Sequence, residues 1–421
     1  MMLDTLPHVE ARPYLLKNSI QHYAWGTCGD QAFIPNLLGF QQEPELPYAE
    51  LWIGAHPKAP SSVVLGEMVV PLDQWIHTYP VQILGSKIAN KFSDKLPFLF
   101  KILSASEPLS IQVHPNKAQA NALHLHDPIH YPDANHKPEL AIALDSLTAL
   151  MGIKPFADIQ ETLRRYPEIA NFIGERVCTR VLNPATLDPQ KQQTLIQTLF
   201  STLVKNSISN EKELVRAIAQ LAERLSKASS LEEIEILFLD LSAKYTGPDV
   251  GLFAMFLLNL VHLKQGQGLF TDAGTPHAYI KGNIVECMAN SDNVVRVGLT
   301  HKFTDPENLI DIINYAPASL SVLGNNSDLE EEIYQTPTSE FLVSKLKLSS
   351  STERHETTEN GLKIFLVTKG IAVVRWNSSS KDGSFILKQG QSILIPACLR
   401  EFQLSTEASA ELFKVEVPIF D

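Results

Sequence analysis

Cysteine is scarce in this chain. Its four copies among 421 residues, Cys28, Cys178, Cys287 and Cys398, lie far apart and form no C-x-x-C pair. That excludes a disulfide scaffold and reads as reduced thiols in a cytoplasmic protein. Long hydrophobic runs are missing as well. The longest, Gly251 to Leu263, falls short of the roughly 20 residues a spanning helix needs, so a buried core helix is expected there and no membrane association. The first residues carry Asp4 and Glu10 with no apolar stretch behind them, which argues against a secretory signal. Positive charge is also in deficit. With 35 basic residues against 47 acidic ones the net charge is −12, which repels a phosphate backbone, and no nucleic-acid partner is expected. A small anionic ligand stays open, because a local pocket of Lys and Arg can focus the field there.

At about 150 residues per domain, the length suggests roughly three domains. From Pro13 to about Met151 the chain reads as short strands punctuated by Pro and Gly, among them Glu50-Leu-Trp-Ile-Gly54, Val63-Val-Leu65, Met68-Val-Val70, Phe98-Leu-Phe-Lys-Ile-Leu103 and Leu140-Ala-Ile-Ala-Leu144. After Pro155 the apolar spacing becomes helical to about Leu263. Caps are predicted at Asp188 ahead of Pro189, at Asn210 with Glu213, and at Ser230 with Glu233. Strand texture returns at Gly268-Leu-Phe270 and fills Leu342 to Val417. One echo links the two β-regions: Gly266-Gln-Gly-Leu-Phe-Thr-Asp-Ala-Gly-Thr-Pro-His277 and Gly390-Gln-Ser-Ile-Leu-Ile-Pro-Ala-Cys-Leu-Arg-Glu401 share a Gly-Gln start and a strand running into a turn. The counterpart of His277 is Glu401, which has no ligand-type neighbours. The expectation is therefore two related β-domains, of which only the first binds a metal.

Histidines cluster. Five of thirteen (His114, His124, His126, His130 and His136) fall between residues 114 and 136. On a strand, Ile111-Gln-Val-His114 projects Gln112 and His114 from one face. Asn135-His-Lys-Pro-Glu139 is a polar turn that can swing Glu139 toward the same pocket, and His277 ends a Gly-Thr-Pro turn. A Gln112/His114/Glu139/His277 set mixes imidazoles with oxygen donors and suits zinc with one position left open. Against this stand hydrogen-bonded core histidines, and a rival pair, His124 and His126, in what reads as a helical or lid segment.

Glu286, Asp292 and Arg296 interrupt an otherwise apolar or small stretch, where a charge is costly unless paired or used. Arg296 is either clasped by Asp292 or stands beside an oxyanion or phosphate. Lys101 either snorkels at a strand end or points into a pocket. Trp25, in Tyr23-Ala-Trp-Gly26, is either plain core or a wall of the site.

Seven motifs in order, Tyr23-Ala-Trp-Gly26, Glu50-Leu-Trp-Ile-Gly-Ala-His-Pro57, Pro97-Phe-Leu-Phe-Lys-Ile-Leu103, Ser110-Ile-Gln-Val-His-Pro115, Asn135-His-Lys-Pro-Glu139, Gly274-Thr-Pro-His-Ala-Tyr279 and Asn293-Val-Val-Arg296, resemble the type I mannose-6-phosphate isomerase (phosphomannose isomerase) family over nearly the whole chain. The resemblance implies a mainly β fold with an α-helical insert, built as two cupin-like jelly-roll β-domains plus a helical domain. The expected limits are 1–153 with 264–325 for the catalytic zinc domain, 154–263 for the helical domain, and 326–421 for the metal-free domain. It implies one Zn2+ per chain on Gln112, His114, Glu139 and His277, with Arg296 as the active-site arginine. Lys101, Ser110 and Lys137 are implied to hold or act beside the sugar phosphate, with Trp25 near the substrate. His136, Glu286 and Asp292 are acid/base candidates whose individual roles stay open.

The implied reaction interconverts mannose 6-phosphate and fructose 6-phosphate by ring opening and proton transfer between C1 and C2, through an enediolate, in a cytoplasmic monomer of carbohydrate metabolism that serves GDP-mannose biosynthesis. Two departures stand out: Asp272 where the family's turn has proline, and His22 where asparagine is common. A cupin-type metal oxygenase and a non-catalytic sugar-phosphate sensor are the competing classes.

Overall fold

The computed structural model describes residues 6–185, 188–324, 329–350, 353–359, 361–377 and 382–418; Asp4 and the expected domain boundary at residue 325 lie outside them. Phe98–Ala105 is buried along its whole length, as an unbroken apolar run requires of a strand covered on both faces. It pairs antiparallel with Glu50–Gly54 on one side and His277–Ala289 on the other, and the latter pairs onward with Glu139–Ile153. Together with Ser19–Gln21, Ile111–Val113, Leu258–Leu263, Gly268–Thr271 and Val295–Gly298 they make a nine-stranded antiparallel sheet.

Side chains alternate across this sheet. Phe98, Phe100, Ile102, Leu140 and Ile142 turn outward into a core shared with Ile364, Leu366 and Phe413 of a second sheet. Lys101, Glu139 and Glu286 occupy the alternate positions and turn inward, with Lys101 opposite Glu286 in the ladder. The second, eleven-stranded sheet holds Leu342–Ser349, Lys363–Trp376, Ser392–Ile395, Ser409–Glu416 and their neighbours. It also takes Tyr14–Lys17, Ser62–Leu65 and Met68–Pro71 from the beginning of the chain. The pairing thus cuts across the expected 1–153 segment, because Tyr14–Lys17 covers the backbone edge that Ser392–Ile395 would otherwise expose.

The helical insert runs from Phe156–Arg165 through Glu233–Lys244. Asp188 caps as expected, accepting from the Gln190 N–H at 3.0 Å. Two expectations change. The Asn210 side chain bonds Ser209 rather than the helix, and the third cap shifts two residues, to a Glu232/Glu235 capping box, because Glu235 is also held by Arg165 and Tyr166 of the first helices. The apolar run expected to be one buried helix is split. Gly251–Ala254 is helical, but Leu258–Leu263 is a strand on the edge of Glu139–Ile153, a choice that apolar periodicity in a short run does not decide.

The sequence echo is structural. Gly266 and Gly390 both have left-handed backbones, φ 83° and 82°. The following glutamine side chain accepts from a backbone N–H three residues back in each: Lys264 to Gln267 at 2.9 Å and Lys388 to Gln391 at 2.8 Å. Each turn also docks on its neighbour strand by the same pair of backbone bonds, to Ala143 and to Val367. Aligning Ala143 with Val367 puts Lys363 where Glu139 stands, opposite Ile395 as Glu139 is opposite Thr271. The Lys363 ammonium there bonds Glu356 at 2.5 Å and Glu416 at 3.3 Å, all nearly buried. Removing one partner of a buried pair is costly because the other charge is stranded. Lys363→Met is therefore expected to cost about 3 kcal/mol in chemical denaturation; wild-type stability would contradict this role of the buried charges in the second sheet.

Candidate metal centre

Three strand ends converge inside the nine-stranded sheet. His114 follows Ile111–Val113 directly, Glu139 opens Glu139–Ile153, and His277 opens His277–Ala289. Gln112 lies between two partners in the ladder, opposite His277 on one strand and Arg296 on the other. All three ligand-type side chains are buried, and their ligand atoms lie within 4.8 Å of one another.

The hydrogen bonds fix which atoms face inward. His114 Nδ1 lies 2.8 Å from the Asn293 carbonyl and His277 Nδ1 3.0 Å from the Thr275 carbonyl. A carbonyl only accepts, so each Nδ1 must carry the proton and each Nε2 presents a lone pair. Those lone pairs point at Glu139, His114 Nε2 at 3.3 Å and His277 Nε2 at 3.2 Å from its two oxygens. His114 Nε2 and Glu139 Oε2 make no hydrogen bond despite full burial. Burial pushes the His114 pKa down to about 4 even though Glu139 opposes the shift, so a proton on that imidazole does not fill the gap. Three buried acceptors aimed at each other are stable only around a cation, and an imidazole-imidazole-carboxylate donor set fits a divalent ion of the zinc type. The Gln112 amide stands 3.5 Å from His277 Nε2, at the edge of the same space.

A charged pocket adjoins this centre. The Lys101 ammonium lies 3.1 Å from Glu286 and 3.4 Å from Glu50. Burial alone would lower its pKa, but Glu50 and Glu286 outweigh that and keep it charged. Glu286 is pushed up, by burial first, with Lys101 opposing. Beside it the Tyr279 hydroxyl is buried and held in its neutral form by burial and by that carboxylate. Lys137 stands 3.4 Å from Glu139. Lys101 therefore points inward and is not snorkelling.

Arg296 is half-buried, and desolvation lowers its pKa. Among the described residues no carboxylate pairs with it. The clasp considered from sequence is absent, because Asp292 bonds Lys58 at 3.0 Å and His56 at 3.5 Å instead. Those partners overcome burial and hold the Asp292 pKa well below the usual range.

The remaining candidates divide. Ser110 is half-buried, two residues before Gln112. Trp25 stacks on Tyr23 with ring centroids 5.7 Å apart, packs against the cluster containing Leu103 and Tyr279, and takes the Ser106 N–H on its carbonyl. His136 turns to the C-terminal region, where its Nε2 is 2.8 Å from Glu340. The rival pair does not form. His124 and His126 lie on the helix Lys117–His126, where residues two apart face different ways, and His124 bonds the Tyr131 carbonyl. Asp272 accepts from the next N–H in its turn, and His22 bonds the Pro47 carbonyl, so neither departure reaches a ligand. Sequence reasoning missed Glu50 and His56. Glu50 carried the same signal as Lys101, a charge in a run that reads as buried.

Family models for the phosphomannose isomerase type I catalytic domain and helical insertion domain match residues 14–156 and 172–258. The chain is similar to mannose-6-phosphate isomerase of Mus musculus, 39% identical over 376 residues covering 85% of this chain and 88% of that protein. To the Homo sapiens mannose-6-phosphate isomerase it is 38% identical over 379 residues, 86% of this chain and 88% of that one. Among solved structures, an alanine mutant of phosphomannose isomerase from Salmonella typhimurium superimposes with a TM-score of 0.83 at 32% identity, covering 97% of this chain and all of that chain. A zinc-bound mannose 6-phosphate isomerase does so at 0.82, with the same identity and coverage.

The His136–Glu340 contact titrates. Burial raises the Glu340 pKa, but bonds from His136 and Thr338 bring it from 4.5 down to about 2. Because the folded value lies below the unfolded one, this contribution to stability is fully present above about 4.5 and is lost as pH falls toward 2. Glu340→Gln should flatten the acid-side fall of the unfolding midpoint across that window; an unchanged slope would refute the assignment.

Proposed function

The chain belongs to the type I phosphomannose isomerase family, and on that footing we propose that it interconverts mannose 6-phosphate and fructose 6-phosphate with zinc, by ring opening and C1/C2 proton transfer through an enediolate. The observation that carries this reading is the set of three mutually facing acceptors, His114 Nε2, His277 Nε2 and Glu139, with Arg296 opposite Gln112 in the ladder and paired with no carboxylate among the described residues. His114, His277 and Glu139 would hold the metal, and Gln112 would supply a fourth ligand, its amide oxygen, once the amide is turned over. Bound there, zinc supplies Lewis-acid polarisation of the two substrate oxygens.

The other roles fall to the chain's own side chains. Arg296 offsets negative charge developing on the substrate. Lys101, Lys137 and the Ser110 hydroxyl anchor the dianionic phosphate, with Trp25 as a wall, and so set the far end of the sugar. Glu286, whose pKa burial pushes up, is the carboxyl suited to take and return a proton. Asp292 and His136 act by positioning, since Asp292 is paired with Lys58 and His136 is in hydrogen-bond contact with Glu340, both outside the three-ligand cluster. Four free cysteines and no described helix long and apolar enough to cross a membrane support a cytoplasmic enzyme, which we take to act as a monomer.

Incubation with fructose 6-phosphate should yield mannose 6-phosphate without oxygen uptake, lose that activity with a chelator, and regain it on zinc addition. His114→Ala is expected to lose bound zinc and turnover together; full activity in metal-stripped protein would sink the metal's role. Arg296→Ala should lower kcat/KM about 10²-fold with zinc retained, and sugar-phosphate binding without conversion would favour a sensor.

A further inference from the structure

We propose that Asp249 is a positioning residue for Arg296: its carboxylate fastens the end of the arginine-bearing strand to the short helix Gly251–Ala254 that follows the helical insert, and thereby sets where the guanidinium stands. The inference rests on the reading of Arg296 as the cation that meets the substrate.

Asp249 sits between Gly247-Pro248 and the short helix Gly251–Ala254. Its Oδ1 accepts the N–H groups of Gly251 at 2.7 Å and Leu299 at 2.8 Å, and its Oδ2 accepts that of Thr300 at 3.0 Å. One carboxylate thus joins two backbone segments some fifty residues apart in sequence. Its partners are amides rather than cations, and backbone donors hold a carboxylate in one orientation.

The approach is sterically demanding. A Cβ on Gly298 would lie 2.3 Å from Asp249 Oδ1 and 2.4 Å from Gly251 N, and a Cβ on Gly251 would lie 2.6 Å from Leu299 N. Only glycine fits at both contacts. The next residue, Leu299, is buried with φ 56°, a left-handed conformation a leucine adopts only when its surroundings impose it. The two amides bound by Asp249 just past the end of that strand are those of Leu299 and Thr300, so the clamp acts on the strained turn itself.

The strain lies beside Arg296. Pairing with Ile111–Val113 slips between Arg296 and Gly298, and such an irregularity re-aims the side chains around it. Arg296 has no ion pair of its own to hold it among the described residues. The backbone at its C-terminal side is held by Asp249, and both residues line a cavity of about 710 Å³ between the helical insert and the loop carrying Lys302. A helical domain away from the metal ligands is coupled in this way to the geometry of the reaction.

The test is a double-mutant cycle on zinc-loaded protein, reading kcat and KM for fructose 6-phosphate together with bound zinc and the unfolding midpoint. Misplacing a catalytic group by about 1 Å costs on the order of 10²-fold, so Asp249→Ala should lower kcat/KM about that much, and Asp249→Asn, which keeps one acceptor oxygen, about tenfold, with zinc content unchanged. In an Arg296→Ala background the same substitution should cost less than about twofold, since both changes act through one guanidinium. An undiminished loss in that background overturns the proposal, as does full activity of Asp249→Ala. If the alanine variant does not fold, Asp249→Asn carries the cycle, and where turnover is too slow, calorimetric affinity for fructose 6-phosphate reads the same coupling. A wild-type kcat/KM for Arg296→Ala would instead overturn the reading of the arginine.

Discussion

The buried Glu139 carboxylate, facing two imidazole lone pairs, is the constraint on which the rest of this structure depends. Without a cation the three groups present only acceptors to one another, an arrangement that burial penalises and that a proton on His114 does not repair, because burial pushes that imidazole's pKa down. The sheet supplies the stiffness that keeps them together. Glu139 and His277 are first residues of long strands paired with each other for most of their length, and the Nδ1 bonds to Asn293 and Thr275 fix both ring orientations. The site is therefore preorganised by backbone pairing at Glu139 and His277, and His114 is carried one residue past the end of Ile111–Val113.

The eleven-stranded sheet clarifies what the metal does for the nine-stranded one. Its repeated turn, with the same glutamine-to-backbone bond, places Lys363 at the position of Glu139. There the chain provides its own cation, held by Glu356 and Glu416. Lys414 and Arg354 complete the network with Glu331. In the second sheet the buried charges are thus matched by side chains alone, while the first leaves buried acceptors that a divalent ion would satisfy. The difference between binding site and structural support includes the sign of the side chain at one strand end, Glu139 against Lys363, and the replacement of His277 by Glu401 in the repeated turn.

Much of this was legible in the sequence, for physical reasons. Period-2 alternation in Ile111-Gln-Val-His114 and the turn ahead of Glu139 announced three of the four expected ligands, and the Gly-Gln echo announced the repeat. What stayed hidden was non-local. No pattern in Tyr14–Lys17 says that it pairs with Ser392–Ile395, or that Gly251 to Leu263 changes from helix to strand halfway. Asp292 is four residues before Arg296 and reads as its natural partner, yet Lys58 and His56, more than two hundred residues away in sequence, take it. His136 looked like part of the histidine cluster but bonds Glu340, whose position depends on the whole second sheet. Side-chain type and spacing report what a residue can do; tertiary pairing decides which partner it meets.

Charge balance in the pocket closes the argument. Glu50, Glu139 and Glu286 face Lys101 and Lys137 directly, with Arg296 opposite Gln112 in the ladder and without a carboxylate partner among the described residues. Three acids against three bases leave the bare pocket near neutrality when all are ionised, which is why it can be buried in a chain of net charge −12. A divalent ion on the three acceptors then gives the pocket an excess of about two positive charges, the complement of a phosphate dianion. Because that excess arrives with the metal, affinity for the anionic substrate and occupancy of the metal site are coupled through electrostatics alone, before any bond in the sugar changes.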